Sequence, residues 1–147
     1  MRHLPLYGER PASPLETAQP LDLDSNCARC ALRTGTESVC LPADGVPGGL
    51  LVVGVNPSKH DDRRGRPFVG RSGTAVRRIV EQVWDGPVVY DFATRCARGR
   101  RELGPKEVEA CRPYLAGTFR DARPGRIIAL GTYAVNAVVG RSVQPLH

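Results

Sequence analysis

The sequence lacks any apolar run of about 18 residues, the shortest that crosses a bilayer as a helix. It also has no basic segment followed by an apolar stretch near its first residue, which is the pattern of an export signal. We therefore expect no membrane span, no membrane partner and a cytoplasmic location. Because disulfide bonds are rare inside cells, the five cysteines are better interpreted as metal ligands, with one left over.

The formal net charge is +6 and is carried mostly by arginine. The planar guanidinium binds phosphate with two parallel hydrogen bonds, so an excess of arginine favours a polyanionic partner. Simple solubility, or an arginine-rich genome, explains the charge about as well. Charge alone therefore leaves both interpretations open.

The periodicity of apolar residues predicts alternating strands and helices. Residues 1–24 hold four prolines and no periodicity, which predicts a poorly structured arm before a domain at 25–147. Strands are predicted at 50–55, 87–93 and 126–130, and helices at 25–33, 73–84 and 132–139, with one more that begins at Pro105 and kinks at Pro113. This order predicts an α/β fold with helices on both faces of a parallel sheet.

Residues 54–70, which follow the first predicted strand, form a loop punctuated by glycine and proline. The loop carries an amide, two carboxylates, an aromatic ring and several arginines. Open α/β sheets bind their ligands where strands end. The segment therefore predicts a ligand site.

The cysteines have the spacing of a metal site. Cys27 and Cys30 lie about one helical turn apart, a spacing compatible with zinc, an iron–sulfur cluster or a redox pair. Cys96 and Cys111 would complete a four-sulfur site and pin the basic loop between them. The sequence is equally compatible with Cys96 and Cys111 as small buried residues of the hydrophobic core.

Five segments together resemble the iron–sulfur uracil-DNA glycosylases of family 4. They are the Cys-x-x-Cys motif, Gly-Arg-Pro-Phe-Val-Gly-Arg-Ser-Gly at 65–73, the Arg-Cys pair at 95–96, and residues 107–115 and 127–131. The resemblance runs from about residue 27 to residue 140. It implies a three-layer α/β/α sandwich with a short parallel central sheet.

The resemblance also implies a structural [4Fe–4S] cluster, for which zinc is the alternative metal. The implied ligands are Cys27, Cys30, Cys96 and Cys111. Cys40 has no counterpart in the family, so we expect it to be a buried or free thiol.

The implied activity is hydrolysis of the N-glycosidic bond of uracil, or of another altered base, in DNA. This reaction needs a positioned water, donors aimed at the departing base, and an aromatic face that holds the base after it leaves the stack. The expected base-binding residues are Gly54, Val55 and Phe68. The expected contacts to DNA are Arg66, Arg71, Arg98, Arg100 and Arg101.

The first catalytic motif departs from family 4, because Val55 stands where that family has glutamate. Gly-Val-Asn-Pro at 54–57 is instead similar to the motif of the mismatch-specific and the single-strand-selective uracil glycosylases. In those branches the asparagine positions the attacking water, so Asn56 is the expected catalytic residue. Asp62 is a second candidate, as a general base. Asp61 and Asp62 are alternatively carboxylates that hold the loop through Arg64 or Arg66.

A second departure concerns recognition of the base. Family members usually have asparagine four residues before the third cluster cysteine, and here that position holds Phe92. The neighbouring Asp91 reaches the pocket only if a bulge shifts the strand. If it does, its carboxylate suits an exocyclic amine better than the carbonyl of uracil.

A third departure is that seven residues follow Gly140, where family members continue into another strand and a His-Pro-Ser loop. We do not assign the role of that histidine to His147. The sheet is then expected to lack its last edge strand, and a protein partner is a candidate to cover the exposed edge. These departures leave an alternative function, a catalytically weak or inactive glycosylase-fold protein that binds DNA or a partner protein.

Overall fold

The computed structural model describes residues 13–22 and 24–140. A four-stranded sheet forms its centre, with the strands β1 (Asp44–Gly45), β2 (Leu50–Gly54), β3 (Val88–Phe92) and β4 (Arg126–Ala129). Their order is β1-β3-β2-β4, and β2 runs parallel to both β3 and β4. The predicted parallel sheet is confirmed, and β1, which pairs antiparallel with β3, is an addition that the sequence did not predict.

Helices cover both faces of this sheet. They are α1 (Pro14–Thr17), α2 (Lys59–Arg64), α3 (Arg71–Val83), α4 (Pro105–Ala122) and α5 (Thr132–Val139), with a 3₁₀ helix at Ala31–Gly35. Leu51 and Val53 of β2 pack with residues of α4 and α5, whereas Leu50 and Val52 pack on the other face with Val80 of α3. This alternation along a fully buried strand produces the α/β/α sandwich that the sequence predicts.

The 54–70 loop contains a helix that the sequence analysis did not predict. Ser58 accepts a hydrogen bond from the backbone N–H of Asp61, and the Asp61 carboxylate accepts one from the N–H of Ser58. This reciprocal cap begins α2. Gly65, in the left-handed conformation with φ of 66°, ends it.

The start of the chain differs from the sequence prediction in two places among the described residues. Residues 14–17 form a helix with its own capping box at Ser13, and Leu15 is buried in the core beside α4 and α5. Residues 13–22 therefore do not form an arm without structure. The helix predicted at 25–33 is replaced by turns and by the 3₁₀ helix that begins at Ala31. Residues 1–12 and 23 lie outside the described residues.

The later elements agree with the sequence to within two residues, and α4 continues through Pro113. Within the described ranges, β4 pairs with β2 alone and forms one edge of the sheet. A partner protein at this edge stays a prediction. Residues 141–147, including His147, are outside the described part of the chain. No helix in that described part has the length and apolar content needed to cross a membrane.

Candidate active site

A pocket lies at the carboxyl end of β2, where the sequence predicts a ligand site. Its volume is about 390 Å³, within the range typical of small-ligand sites. Its walls come from the end of β2, from α2 and the loop after it, from the start of α3, and from β3 and β4. The predicted site residues on these walls are Gly54, Val55, Asn56, Phe68 and Arg71.

Two stacked phenylalanines form the apolar wall of the pocket. The rings of Phe68 and Phe92 are nearly parallel, with centroids 5.0 Å apart and an interplanar angle of 6°. Gly54 makes this packing feasible, because a Cβ atom there would lie 2.9 Å from Cζ of Phe68 and 3.0 Å from Cδ1 of Phe92. The end of β2 therefore needs glycine for a steric reason.

Phe68 has an unusual backbone conformation, with φ of 57°, which is strained for a bulky residue. Arg77 of α3 binds this segment: its Nε donates to the carbonyl of Phe68 at 2.9 Å, and its Nη2 to that of Pro67 at 2.7 Å. The guanidinium lies 4.1 Å from the ring centroid of Tyr90. No sequence pattern marks Arg77 as a residue of the site.

Arg77 is itself held by Asp44 of β1, whose carboxylate lies 3.1 Å from Nη2. Arg66 binds the same carboxylate at 3.0 Å. Partial burial opposes ionisation of Asp44, but the hydrogen bonds and charges of the two arginines hold its pKa below the usual range. Both arginines therefore converge on one anion beside the Phe68 segment.

Asn56 lies half-buried on the pocket wall directly after β2. Its Nδ2 donates to the carbonyl of Pro57 at 3.0 Å, which fixes the orientation of the amide. No donor among the described residues reaches its Oδ1. The amide oxygen is therefore the atom that can accept a hydrogen bond from a water molecule in the pocket.

The two aspartates of α2 bind backbone rather than Arg64 or Arg66. Asp61 accepts from the N–H groups of Val69 and Gly70 at 2.8 and 3.2 Å, so it anchors the end of the pocket loop. The Asp62 carboxylate points instead toward another segment, with contacts to Thr36 Oγ1 at 2.6 Å, Glu37 N at 2.9 Å and Ser38 N at 2.7 Å. Contrary to the prediction, Asp62 does not line the pocket.

The structure also places Asp91 away from the pocket. The register of β3 against β2 runs from Val88 to Phe92 without a bulge, so Phe92 faces the pocket and Asp91 faces the opposite side. There Asp91 is 1% exposed and forms a 2.7 Å ion pair with Arg95. Its predicted contact with the base is wrong for this reason.

The predicted DNA-binding arginines fall into two groups. Arg71 begins α3 at the pocket, and the side chain of Arg66 is 62% exposed. Arg98, Arg100 and Arg101 are exposed on the loop after Cys96, and Nη2 of Arg101 donates to Thr34 Oγ1 at 2.6 Å. His60 is exposed on the pocket wall and was not anticipated.

All five cysteines line a single second cavity, on the other side of β3 from the pocket. Its lining includes Cys27, Cys30, Cys40, Cys96, Cys111 and Arg95, and the cavity volume is about 20 Å³. Two backbone N–H groups already point to sulfur: that of Cys40 to Cys96 Sγ and that of Arg95 to Cys111 Sγ, both at 3.3 Å. The structure thus gathers the four predicted ligands and adds Cys40.

The chemistry of this cavity fits a four-thiolate cluster. No three His, Cys, Asp or Glu side chains in residues 13–22 and 24–140 are close enough together to hold one ion. Four thiols that line one cavity are nevertheless the donor set of an iron–sulfur cluster or of a tetrahedral zinc ion. Burial raises the pKa of Cys96 to about 11 and that of Cys111 above its usual range, so thiolates here need a neighbouring positive charge.

Residues 47–146 match the family model of the uracil DNA glycosylase superfamily. The chain belongs to the uracil-DNA glycosylase superfamily, which confirms the resemblance found in the sequence. Its similarity to curated proteins lies with the type-4 uracil-DNA glycosylases. The one from Pyrobaculum aerophilum is 33% identical over 132 residues, which cover 85% of this chain and 67% of that protein.

Two other type-4 uracil-DNA glycosylases are each 27% identical over 122 residues. The protein from Sulfurisphaera tokodaii is matched over 79% of this chain and 54% of its own length. For the protein from Thermotoga maritima the shares are 80% and 64%. The chain thus spans about half to two thirds of the length of these relatives.

Proposed function

We propose that the protein is a monofunctional DNA glycosylase that removes uracil, or another altered base, by hydrolysis of the N-glycosidic bond. The observation that carries this proposal is the position of the Asn56 amide in a pocket whose apolar wall is the Phe68 and Phe92 pair. The pocket offers an aromatic surface for an extruded base, together with a fixed acceptor for water. Both are needed for hydrolysis of a base–sugar bond.

In this mechanism the base leaves the stack and packs against the aromatic wall. Asn56 Oδ1 accepts a hydrogen bond from a water molecule and directs its oxygen toward the anomeric carbon of the sugar. The C–N bond breaks as the water oxygen bonds to that carbon, and the electron pair leaves with the base. The proton that the water loses ends on the base anion, directly or through solvent, so the products are the free base and the abasic sugar. Main-chain N–H groups after Gly54 donate to the oxygens of the departing base, and Arg71 binds a neighbouring phosphate.

Val55 contributes shape rather than charge. Its Cγ2 packs so tightly against the turn after β4 that a Cβ atom on Gly131 would lie 2.9 Å from it. A valine neither binds water nor stabilises a cationic sugar. The proposed hydrolysis therefore depends on Asn56 without help from a glutamate.

The proposal includes a [4Fe–4S] cluster held by Cys27, Cys30, Cys96 and Cys111. Bound there, the cluster would crosslink the segment before the 3₁₀ helix, the end of β3 and helix α4, and so contribute stability. Iron and sulfide analysis of protein purified without oxygen tests this assignment, together with the broad visible absorption of such clusters. A colourless protein with one zinc per chain would contradict it.

Phe92 determines the substrate selectivity that we expect. Because no amide at this position reads the edge of the base, we expect weaker discrimination among altered bases than an asparagine gives. Release of abasic sites from oligonucleotides that contain uracil, hypoxanthine, xanthine or modified cytosines tests both activity and selectivity. Strand scission by alkali is expected for uracil at least, and its absence on every substrate would reject the proposal.

The residues at positions 92 and 55 favour a second candidate function, in which the protein binds DNA without hydrolysis. Phe92 and Val55 replace two polar residues that the family uses for recognition and chemistry. In this case the protein binds a uracil-containing oligonucleotide more tightly than a matched thymine control and forms no abasic sites. The two functions are therefore separated by product formation at saturating protein.

A further inference from the structure

Arg95 reaches from the end of β3 into the wall of the cysteine cavity. Its side chain is 6% exposed, and one nitrogen, Nη2, is held by three acceptors. They are Asp91 Oδ2 at 2.7 Å, the Tyr114 carbonyl at 3.2 Å and Thr118 Oγ1 at 2.5 Å. This arrangement fixes the position of the guanidinium group.

The Nε of Arg95 has no partner. Among residues 13–22 and 24–140, it is the one buried side-chain nitrogen or oxygen without a hydrogen bond. A buried donor that lacks an acceptor is costly, and more so when it is charged. The cavity that Arg95 lines therefore calls for an occupant that accepts a hydrogen bond.

The guanidinium also keeps its charge in this environment. Its 2.7 Å ion pair with the Asp91 carboxylate stabilises the charged form. A fixed cation next to five sulfur atoms favours an anionic, sulfur-rich occupant. A neutral apolar occupant would leave the Nε donor without an acceptor.

We propose that Arg95 is a positioning and tuning residue of the iron–sulfur cluster, with its Nε–H donating to a cluster sulfur or a ligand thiolate. This inference rests on the cluster assigned under the proposed function. The backbone N–H of the same residue already contacts Cys111 Sγ. Donors to sulfur and nearby positive charge stabilise the reduced, more negative form of a cluster and so raise its reduction potential.

The test replaces Arg95 by lysine in the full chain loaded with iron and sulfide. Arg95→Lys keeps a cation for Asp91 and leaves the backbone N–H unchanged, but it removes the donor at the Nε position. Arg120→Lys, at the exposed end of α4, is the control, because Arg120 lines neither the cysteine cavity nor the base pocket. The readouts are the midpoint potential of the cluster and the rate at which a chelator removes iron.

We expect Arg95→Lys to lower the midpoint potential and to accelerate iron loss at least several-fold, while Arg120→Lys matches the wild type in both. Equal potentials in the wild type and Arg95→Lys would overturn the inference. If Arg95→Lys does not fold, Thr118→Val removes one anchor of the guanidinium, and a smaller fall in potential is expected. An unchanged potential in that variant would equally overturn the inference.

The outcomes also separate this inference from the proposed activity. A lowered potential in Arg95→Lys, in a protein that releases no uracil, would support the role of Arg95 and reject the glycosylase. Uracil release by the wild type, together with equal midpoint potentials in the wild type and Arg95→Lys, would support the glycosylase and reject the role of Arg95. Wild-type protein that carries no iron and sulfide after anaerobic reconstitution would reject the cluster and the role of Arg95 together.

Discussion

The Nε–H of Arg77 donates to the carbonyl oxygen of Phe68 at 2.9 Å and ties α3 to a residue in the left-handed conformation. The strained backbone of Phe68 is thus stabilised by an arginine nine positions later in the chain. Gly73 allows this close approach, because a Cβ atom there would lie 2.4 Å from Cα of Phe68. The aromatic wall of the pocket is therefore set by α3 as much as by its own loop.

Arg77→Lys tests this relationship. Lysine keeps the charge near Asp44 but lacks the planar fork through which Nε and Nη2 reach Phe68, Pro67 and Asp44, so Phe68 gains mobility. We expect a loss of about 1–3 kcal/mol in unfolding free energy and a fall of about tenfold or more in uracil release under single turnover. Arg120→Lys, on the exposed end of α4, should change neither; equal rates in the two variants would contradict the role of Arg77.

Asp62→Asn separates structural from catalytic roles. An amide in place of the carboxylate puts an N–H group against the donors of Thr36, Glu37 and Ser38, which should cost about 1–3 kcal/mol of stability. The rate of uracil release by the folded protein should stay within about twofold of the wild type, because no reacting group is removed. Thermal unfolding and single-turnover kinetics measure the two effects. A large loss of rate at unchanged stability would restore Asp62 as a catalytic residue.

Gly54→Ala tests the steric basis of the aromatic pair. The added methyl group overlaps both rings, and we expect a cost of about 1–3 kcal/mol from overpacking together with weaker binding of a uracil-containing oligonucleotide. Gly125→Ala is the matched control, because nothing lies within 4 Å of a Cβ atom at that position. If Gly54→Ala is as stable and as active as Gly125→Ala, the two rings do not depend on glycine.

Replacement of Arg98, Arg100 and Arg101 together by alanine tests the basic loop. If all three bind phosphates, the slope of log affinity against log salt concentration should become shallower by about two to three units. Arg120→Ala, away from this loop, should leave the slope unchanged. Titrations of a labelled oligonucleotide at several salt concentrations provide the measurement, and an unaltered slope in the triple variant would exclude the loop from the DNA contact.

The sequence predicted the centre of the sheet well because β2 is an uninterrupted apolar run. Residues 50–54 read Leu-Leu-Val-Val-Gly, and all five are buried. It predicted the 54–70 segment less well. The reciprocal cap between Ser58 and Asp61, which begins α2, was visible as Ser-x-x-Asp but was outweighed by the surrounding glycines and prolines.

The roles of individual charged side chains were harder to predict, because they depend on contacts between distant segments. Asp62 binds residues 36–38, and Asp44 binds Arg77, pairings that no local pattern specifies. Arg77 was detectable only as a charged residue three positions from the core residue Val80 on the same helix. The orphan nitrogen of Arg95 likewise becomes visible only once β3 and α4 are packed together.

The measurement that tests the account most directly is the single-turnover rate of uracil release by wild-type protein and by Asn56→Ala. Gln82→Ala, an exposed amide on α3, serves as the control. We predict that the wild type and Gln82→Ala release uracil at equal rates and that Asn56→Ala is slower by about 100-fold or more, with the same affinity for DNA. Equal rates for Asn56→Ala and the wild type would contradict the proposal that Asn56 directs the attacking water.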